Sequence, residues 1–170
     1  MRKSIIKQLR QQDKHTKVAI DQKLLEDVQA SVAYQEAKVI ATYLSFEFEY
    51  DTSLLIQAAQ KDGKKILIPR TYPKGQMVFV PYDSETLAPT SFGLMEPTSG
   101  EAVAKSEIDL IHVPGVAFNA GGYRIGYGAG YYDRYLADFS GATLSTIYNF
   151  QEVVFQEEKH DIAVKEVFKR

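Results

Sequence analysis

Ile5, Ile6 and Leu9 form an apolar stripe at helical spacing, and Leu24, Leu25, Val28 and Val32 form a second one. The pattern predicts helix from Arg2 to about Ala33, broken near His15 and Thr16. Lys38 to Leu44 (KVIATYL) is a β-rich apolar run with the character of a buried strand. Asp51-Thr52-Ser53 offers an N-cap for a helix reaching about Lys61, and Gly63 closes it. Lys65 to Ile68 (KILI) is the next strand, stopped by Pro69. Strand, capped helix, glycine and strand make a βαβ unit, which predicts a parallel sheet with a right-handed crossover.

Met77 to Val80 (MVFV) reads as a further strand between turn signals. Ser84 to Lys105 is loop-rich, with Pro89, Gly93, Pro97 and Gly100. Ile108 to Val113 (IDLIHV) is another buried strand, ending at Pro114-Gly115, and Val116 to Phe118 extends it. Tyr132, Tyr135, Leu136 and Phe139 then recur at helical spacing. Ala142 to Tyr148 and Ile162 to Phe168 complete the strands. Neither an internal repeat nor a linker divides the chain, so residues 1–170 are expected to form one α/β domain.

Composition narrows the chemistry. The chain has 170 residues, enough to bury a core, with 45% hydrophobic and 25% charged residues, so low-complexity disorder is not expected. Its net charge of −2 argues against nucleic acid or an anionic membrane as the main partner. The absence of cysteine removes disulfides, thiolate metal sites and thiol nucleophiles, and suits a cytoplasmic protein. The opening MRKSIIKQLRQQDK is basic but has no apolar stretch behind it, so a signal peptide is not expected. No apolar run is long enough to predict a membrane span.

The most informative segment is Arg124-Ile125-Gly126-Tyr127-Gly128-Ala129-Gly130-Tyr131-Tyr132-Asp133. Glycine at alternate positions lets the backbone adopt positive φ and approach a ligand closely. The helix that begins directly afterwards would add free N–H groups, which makes the segment a candidate anion site. Arg124 stands at its entrance, where a guanidinium can grip phosphate oxygens in two places. The G-x-G-x-G spacing fits neither a P-loop nor a Rossmann fingerprint. Asp133 beside a phosphate cradle implies an intervening divalent cation, for which Mg²⁺ is the natural candidate. A glycine-rich turn needed only for packing, with Asp133 serving the helix dipole, remains the alternative.

Other residues read two ways. Lys3, Lys7, Arg10 and Lys14 share one helix face, which by itself describes a solvated surface. Glu47, Glu49 and Asp51 follow the first strand, at the end of the sheet where open α/β folds bind ligands. His112 lies in an apolar strand and reads as a packed residue, and His160-Asp161 as a surface pair. Tyr127, Tyr131 and Tyr132 offer faces on which a flat heterocycle could stack. No catalytic triad and no histidine pair at metal-ligand spacing is present.

Val113-Pro-Gly-Val-Ala-Phe118 followed by Gly122 to Tyr135 (GYRIGYGAGYYDRY) strongly resembles the 5-formyltetrahydrofolate cyclo-ligase family, also called methenyltetrahydrofolate synthetases. The likeness continues through the basic first helix, Tyr43-Leu-Ser with its acidic successor, Ile68-Pro-Arg70, Gly93-Leu-Met-Glu-Pro97 and His160-Asp161. It implies ATP- and Mg²⁺-dependent conversion of 5-formyltetrahydrofolate to 5,10-methenyltetrahydrofolate with release of ADP and phosphate. It also implies a three-layer α/β/α fold with a mostly parallel sheet, similar to ribose-5-phosphate isomerases and CoA transferases.

By the resemblance, Lys3, Lys7 and the loop from Arg124 through Ile125, Gly126, Tyr127, Gly128, Ala129, Gly130 and Tyr131 to Tyr132 would bind ATP. Arg124 and Tyr132 would be catalytic. Leu44, Glu49, Tyr127 and Tyr131 would line the folate pocket, and Asp133 and Asp161 would hold Mg²⁺. The protein would act as a cytoplasmic monomer on small molecules, without nucleic acid or membrane. Three positions depart from the family pattern: Lys7 where arginine is frequent, Asn119 for a common aspartate, and Ala129 for glycine or lysine. A sugar-phosphate isomerase of the same fold, or a non-catalytic nucleotide- or RNA-binding module, are the competing readings.

Overall fold

A computed structural model describes residues 1–90 and 93–170. The loop-rich stretch read from Ser84 to Lys105 therefore lies partly outside the described residues, at Ser91 and Phe92. Two helices open the chain, α1 (Arg2–Arg10) and α2 (Lys14–Ala30). The break comes earlier than His15, because the Asp13 carboxylate accepts from Thr16 N at 2.9 Å and starts α2 there. Ser31 caps the short α3 (Val32–Glu36) in the same way, accepting from Tyr34 N at 3.2 Å. β1 (Val39–Ala41) and α4 (Thr52–Lys61) follow, with Asp51 as the expected cap.

β2 (Lys65–Tyr72) does not stop at Pro69. It pairs in parallel with β1 only as far as Leu67, and antiparallel with β3 (Gln76–Pro81) along its whole second half. Pro69 faces the side that β1 has already left, so no ladder hydrogen bond is lost there. β4 (Leu87–Pro89) and β5 (Met95–Pro97) form a separate two-stranded hairpin. β6 (Leu110–His112) is shorter than the apolar run suggests. β7 (Ala117–Phe118) does not extend it but pairs antiparallel with β8 (Arg124–Ile125), the first two residues of the glycine block. α5 (Tyr131–Leu136), β9 (Ala142–Ile147) and β10 (Glu166–Lys169) complete the chain. The last strand begins after Ile162, and Phe139 lies beyond the end of α5.

The main sheet has the order β10-β9-β6-β1-β2-β3 and is parallel except for β3. Alternate strand residues serve opposite faces, as the pleat requires. Ile40, Ile66, Ile68, Leu110 and Leu144 pack with α1 to α4 through residues such as Leu9, Leu24, Val28 and Leu55. Ala41, Leu67, Ile111 and Ile147 pack on the other face with Tyr132, Tyr135 and Leu136 of α5. The result is the expected three-layer α/β/α arrangement. Among the described residues no helix is long and apolar enough to cross a membrane.

Candidate active site

β1 and β6 end, and β2 leaves its parallel pairing with β1, at the same rim, and each strand contributes to a cavity of about 820 Å³. β1 delivers Tyr43, Leu44, Phe46 and Glu49, β2 delivers Pro69 and Thr71, and β6 delivers Pro114. Every residue from Arg124 to Asp133 lines this cavity, as does Asp161. The C-terminal ends of parallel strands are where this class of sheet places ligands.

The glycine block is built around Arg124. A Cβ at Gly126 would stand 2.8 Å from Arg124 Nη1, so that glycine makes room for the guanidinium. Gly128 and Gly130 have φ of 110° and 72°, which bends the chain into α5 with Gly130 at its N-cap. Arg124 lies over the Tyr132 ring, its Cζ 5.4 Å from the centroid. Arg124 Nε and Tyr132 Oη are both buried without a hydrogen-bond partner among the described residues. Burial lowers the Arg124 pKa from its ordinary value, while Asp133 and Asp161 oppose that shift through their charge. Two orphaned polar groups on one cavity wall are a costly arrangement unless a ligand completes them.

Glu49 stands elsewhere on the wall and is almost wholly buried. Its carboxylate accepts from Phe46 N at 2.8 Å and from the Tyr127 hydroxyl at 3.0 Å. Burial pushes its pKa up to about 7, against the lowering effect of those two hydrogen bonds and of the Lys17 charge. Phe46 meets Tyr127 edge-on with ring centroids 5.7 Å apart. The cavity thus joins an aromatic, carboxylate-bearing wall to a cationic, glycine-rich one.

Asp133 Oδ1 accepts from Ile162 N at 3.2 Å, and Asp161 Oδ2 accepts from Glu158 N at 2.8 Å. Each carboxylate thereby keeps an oxygen that accepts no hydrogen bond from the described residues. Among the described residues no group of three or more such side chains gathers for an ion. His112 is confirmed as a core residue: its ring nitrogens lie 2.9 Å from Thr42 Oγ1 and 3.0 Å from Thr146 Oγ1. Burial holds its pKa down to about 3, so the imidazole is neutral.

A family model described as the 5-formyltetrahydrofolate cyclo-ligase family matches residues 1–170. This chain belongs to that family. It is 36% identical over 122 residues to the 5-formyltetrahydrofolate cyclo-ligase of Mus musculus, covering 66% of this chain and 60% of the mouse protein. Its identity to the cyclo-ligase of Haemophilus influenzae is 32% over 130 residues, covering 72% of this chain and 70% of that one. The NMR structure of 5,10-methenyltetrahydrofolate synthetase from Aquifex aeolicus superposes with a TM-score of 0.85 at 28% identity, covering 99% of this chain and 87% of that chain. The synthetase from Mycoplasma pneumoniae has the same fold, with a TM-score of 0.81 at 22% identity, covering 98% of this chain and 94% of that chain.

Within this cyclo-ligase fold the basic first helix approaches the cavity by an unexpected residue. Lys3 and Lys7 are exposed on α1 and are not among the residues that line the cavity. Arg2 is, and its Nε donates to Gly126 O at 2.7 Å. Tyr43, Thr71 and Glu96 also line the cavity, and the sequence assigned none of them a role in the site. Tyr43 and Glu96 stood only within segments quoted for the family likeness, and Thr71 in none. Thr71 and Glu96 meet only through tertiary pairing, Thr71 N and Oγ1 donating to the two Glu96 oxygens at 2.9 and 2.6 Å.

Proposed function

We propose that this protein catalyses the ATP-dependent conversion of 5-formyltetrahydrofolate to 5,10-methenyltetrahydrofolate, with ADP and phosphate as the other products. The observation that carries the reading is the pair of orphaned polar groups, Arg124 Nε and Tyr132 Oη, buried in the wall of a cavity whose opposite character is aromatic and acidic. Family membership and the likeness to named synthetases support it.

A formamide is a poor electrophile and its oxygen a poor leaving group, and transfer of a phosphoryl group to that oxygen corrects both. N10 of the substrate then closes the ring on the formyl carbon and phosphate departs. The substrate supplies both nucleophiles, so the protein needs no cysteine and no triad. Its tasks are alignment and neutralisation of the charge on the phosphoryl group.

Arg124 and the backbone of Ile125, Gly126, Gly128, Ala129 and Gly130 would hold the phosphates, with Arg2 beside them. Lys3 and Lys7 would act from the exposed face of α1 as longer-range cations. Tyr132 would donate its hydroxyl at the reacting centre. Leu44, Glu49, Tyr127 and Tyr131 would hold the folate, Glu49 facing its nitrogen donors. The donor set at Asp133 and Asp161 suits Mg²⁺, which takes oxygen ligands and commonly uses one or two protein carboxylates plus substrate phosphates. When bound, that ion would offset phosphate charge. The same reading makes the protein a cytoplasmic monomer.

The test is the absorbance of purified protein mixed with 5-formyltetrahydrofolate and Mg²⁺, with and without ATP. A near-ultraviolet methenyl band that appears only with ATP is the expected result. Absence of the band with ATP present overturns the reading.

A further inference from the structure

Arg134 lies just beyond the conspicuous glycine block, on the exposed side of α5. Its guanidinium is given to a backbone carbonyl rather than to a carboxylate: Nη1 donates to Ala129 O at 2.8 Å. A Cβ built on Gly130 would lie 3.1 Å from the same nitrogen. From the other side comes the turn between β2 and β3. Lys74 and Gly75 there have φ of 65° and 72°, two successive left-handed residues, one of which is not glycine. This conformation is uncommon outside glycine and persists where surrounding structure enforces it. A Cβ on Gly75 would lie 1.9 Å from Arg134 Nη1 and 3.1 Å from Ala129 O. The guanidinium is therefore seated between two glycines of different elements.

We propose that Arg134, seated against Gly75, is a positioning residue that braces the glycine loop for nucleotide binding. A peptide unit is planar and trans, so its C=O and the following N–H point in opposite directions. Holding Ala129 C=O fixes the orientation of the Gly130 N–H, and holding Gly126 C=O, as Arg2 does, fixes that of Tyr127. Both residues line the cavity. Two arginines from α1 and α5 thus set the aim of backbone donors in a loop whose glycines would otherwise leave it floppy. Neither arginine need touch the reacting atoms through these contacts. The functional part of the inference rests on the nucleotide reading of the loop, whereas the brace itself does not.

The experiment compares wild type, Arg134→Ala, Gly75→Ala and the double variant. Hydrogen–deuterium exchange without ligand follows residues 126–131, and steady-state kinetics follow ATP and 5-formyltetrahydrofolate separately. Arg134→Ala deletes the brace, and Gly75→Ala displaces it while leaving the arginine in the chain. Each is expected to speed exchange in the loop and to lower kcat/KM for ATP by about ten- to a hundredfold, as small misplacements remote from chemistry do. The KM for 5-formyltetrahydrofolate should stay within about twofold, and the double variant should be no worse than the worse single one. Unchanged loop exchange in Arg134→Ala overturns the brace, whatever the activity. Effects that multiply in the double variant, or that fall equally on both substrates, overturn the shared positioning role. If wild type shows no ATP-dependent turnover, the proposed function fails, and the exchange data still decide the brace.

Discussion

Among the described residues two carboxylates are buried, Asp21 and Glu49, and they are treated in opposite ways. Asp21 on α2 accepts from Lys17 Nζ at 2.7 Å, from the Tyr148 hydroxyl at 2.6 Å and from Asp51 N at 3.2 Å. Those contacts tie one helix to the end of β9 and to the cap of α4. Glu49 has two neutral donors and no cation in contact, and it faces the cavity. A buried charge paired with a cation and held by two further donors is a structural fixture, while one with no cation in contact is held ready for a partner from outside. The fold is stabilised by the first and carries the second at a cost, which is the usual relation between scaffold and site.

The largest effect that would break this contrast is on stability. Asp21→Ala should lose about 4 kcal/mol, because Lys17 and the Tyr148 hydroxyl are left without their buried partner. Urea unfolding would measure it, and turnover per folded molecule should change little. Glu49→Gln should do the reverse, lowering kcat/KM for 5-formyltetrahydrofolate by about tenfold to a hundredfold while leaving the protein at least as stable. Loss of stability without loss of turnover would make Glu49 a second Asp21.

A pH series sharpens the distinction further. Burial pushes Glu49 up to about 7 in the folded protein, against an ordinary value of 4.5. Between those values the folded state keeps a proton that the unfolded chain releases, so this group's contribution makes stability fall as pH rises, and level off above about 7. The stability of Glu49→Gln relative to wild type should therefore grow across that window, by on the order of 3 kcal/mol. A difference that is flat with pH would show Glu49 ionised throughout. The smallest effect is expected from Tyr127→Phe, which removes one donor to Glu49. It should weaken folate binding by about 1 kcal/mol and move the pH window upward.

The parts of the site legible in the sequence were those written in local spacing. Arg124 to Asp133, which line the cavity, stand out because alternate glycines and a following helical stripe lie within one short run. Glu49 could be placed at the rim because it follows a readable strand. Arg2 could not, since the basic face of α1 is counted from Lys3, and the residue that reaches Gly126 stands at the first helical position, off that stripe. Nor could β2 be followed past Pro69, because the proline is tolerated only by virtue of where β1 ends. β7 and β8 were missed as a pair for the same reason: two residues each, they exist through one another.

That continuation of β2 has a consequence for how the protein behaves in company. Beyond Leu67 the flank of β2 that faced β1 has no ladder partner among the described residues, although β5 packs beside it, and an unpaired strand edge is the kind of surface that recruits strands from other molecules. Leu67 O accepts from Thr42 N, so positions 69 and 71 present their backbone groups to the same side. Residue 69 is proline and has no hydrogen to offer, and the hydrogen at Thr71 is taken by Glu96. The edge is thereby silenced at both positions by Pro69, Thr71 and Glu96, three residues that also line the cavity. Widening the cavity at Glu96 would thus free the Thr71 N–H and expose a sticky seam, and enlarged-pocket variants at that position should be screened for clumping before they are screened for activity.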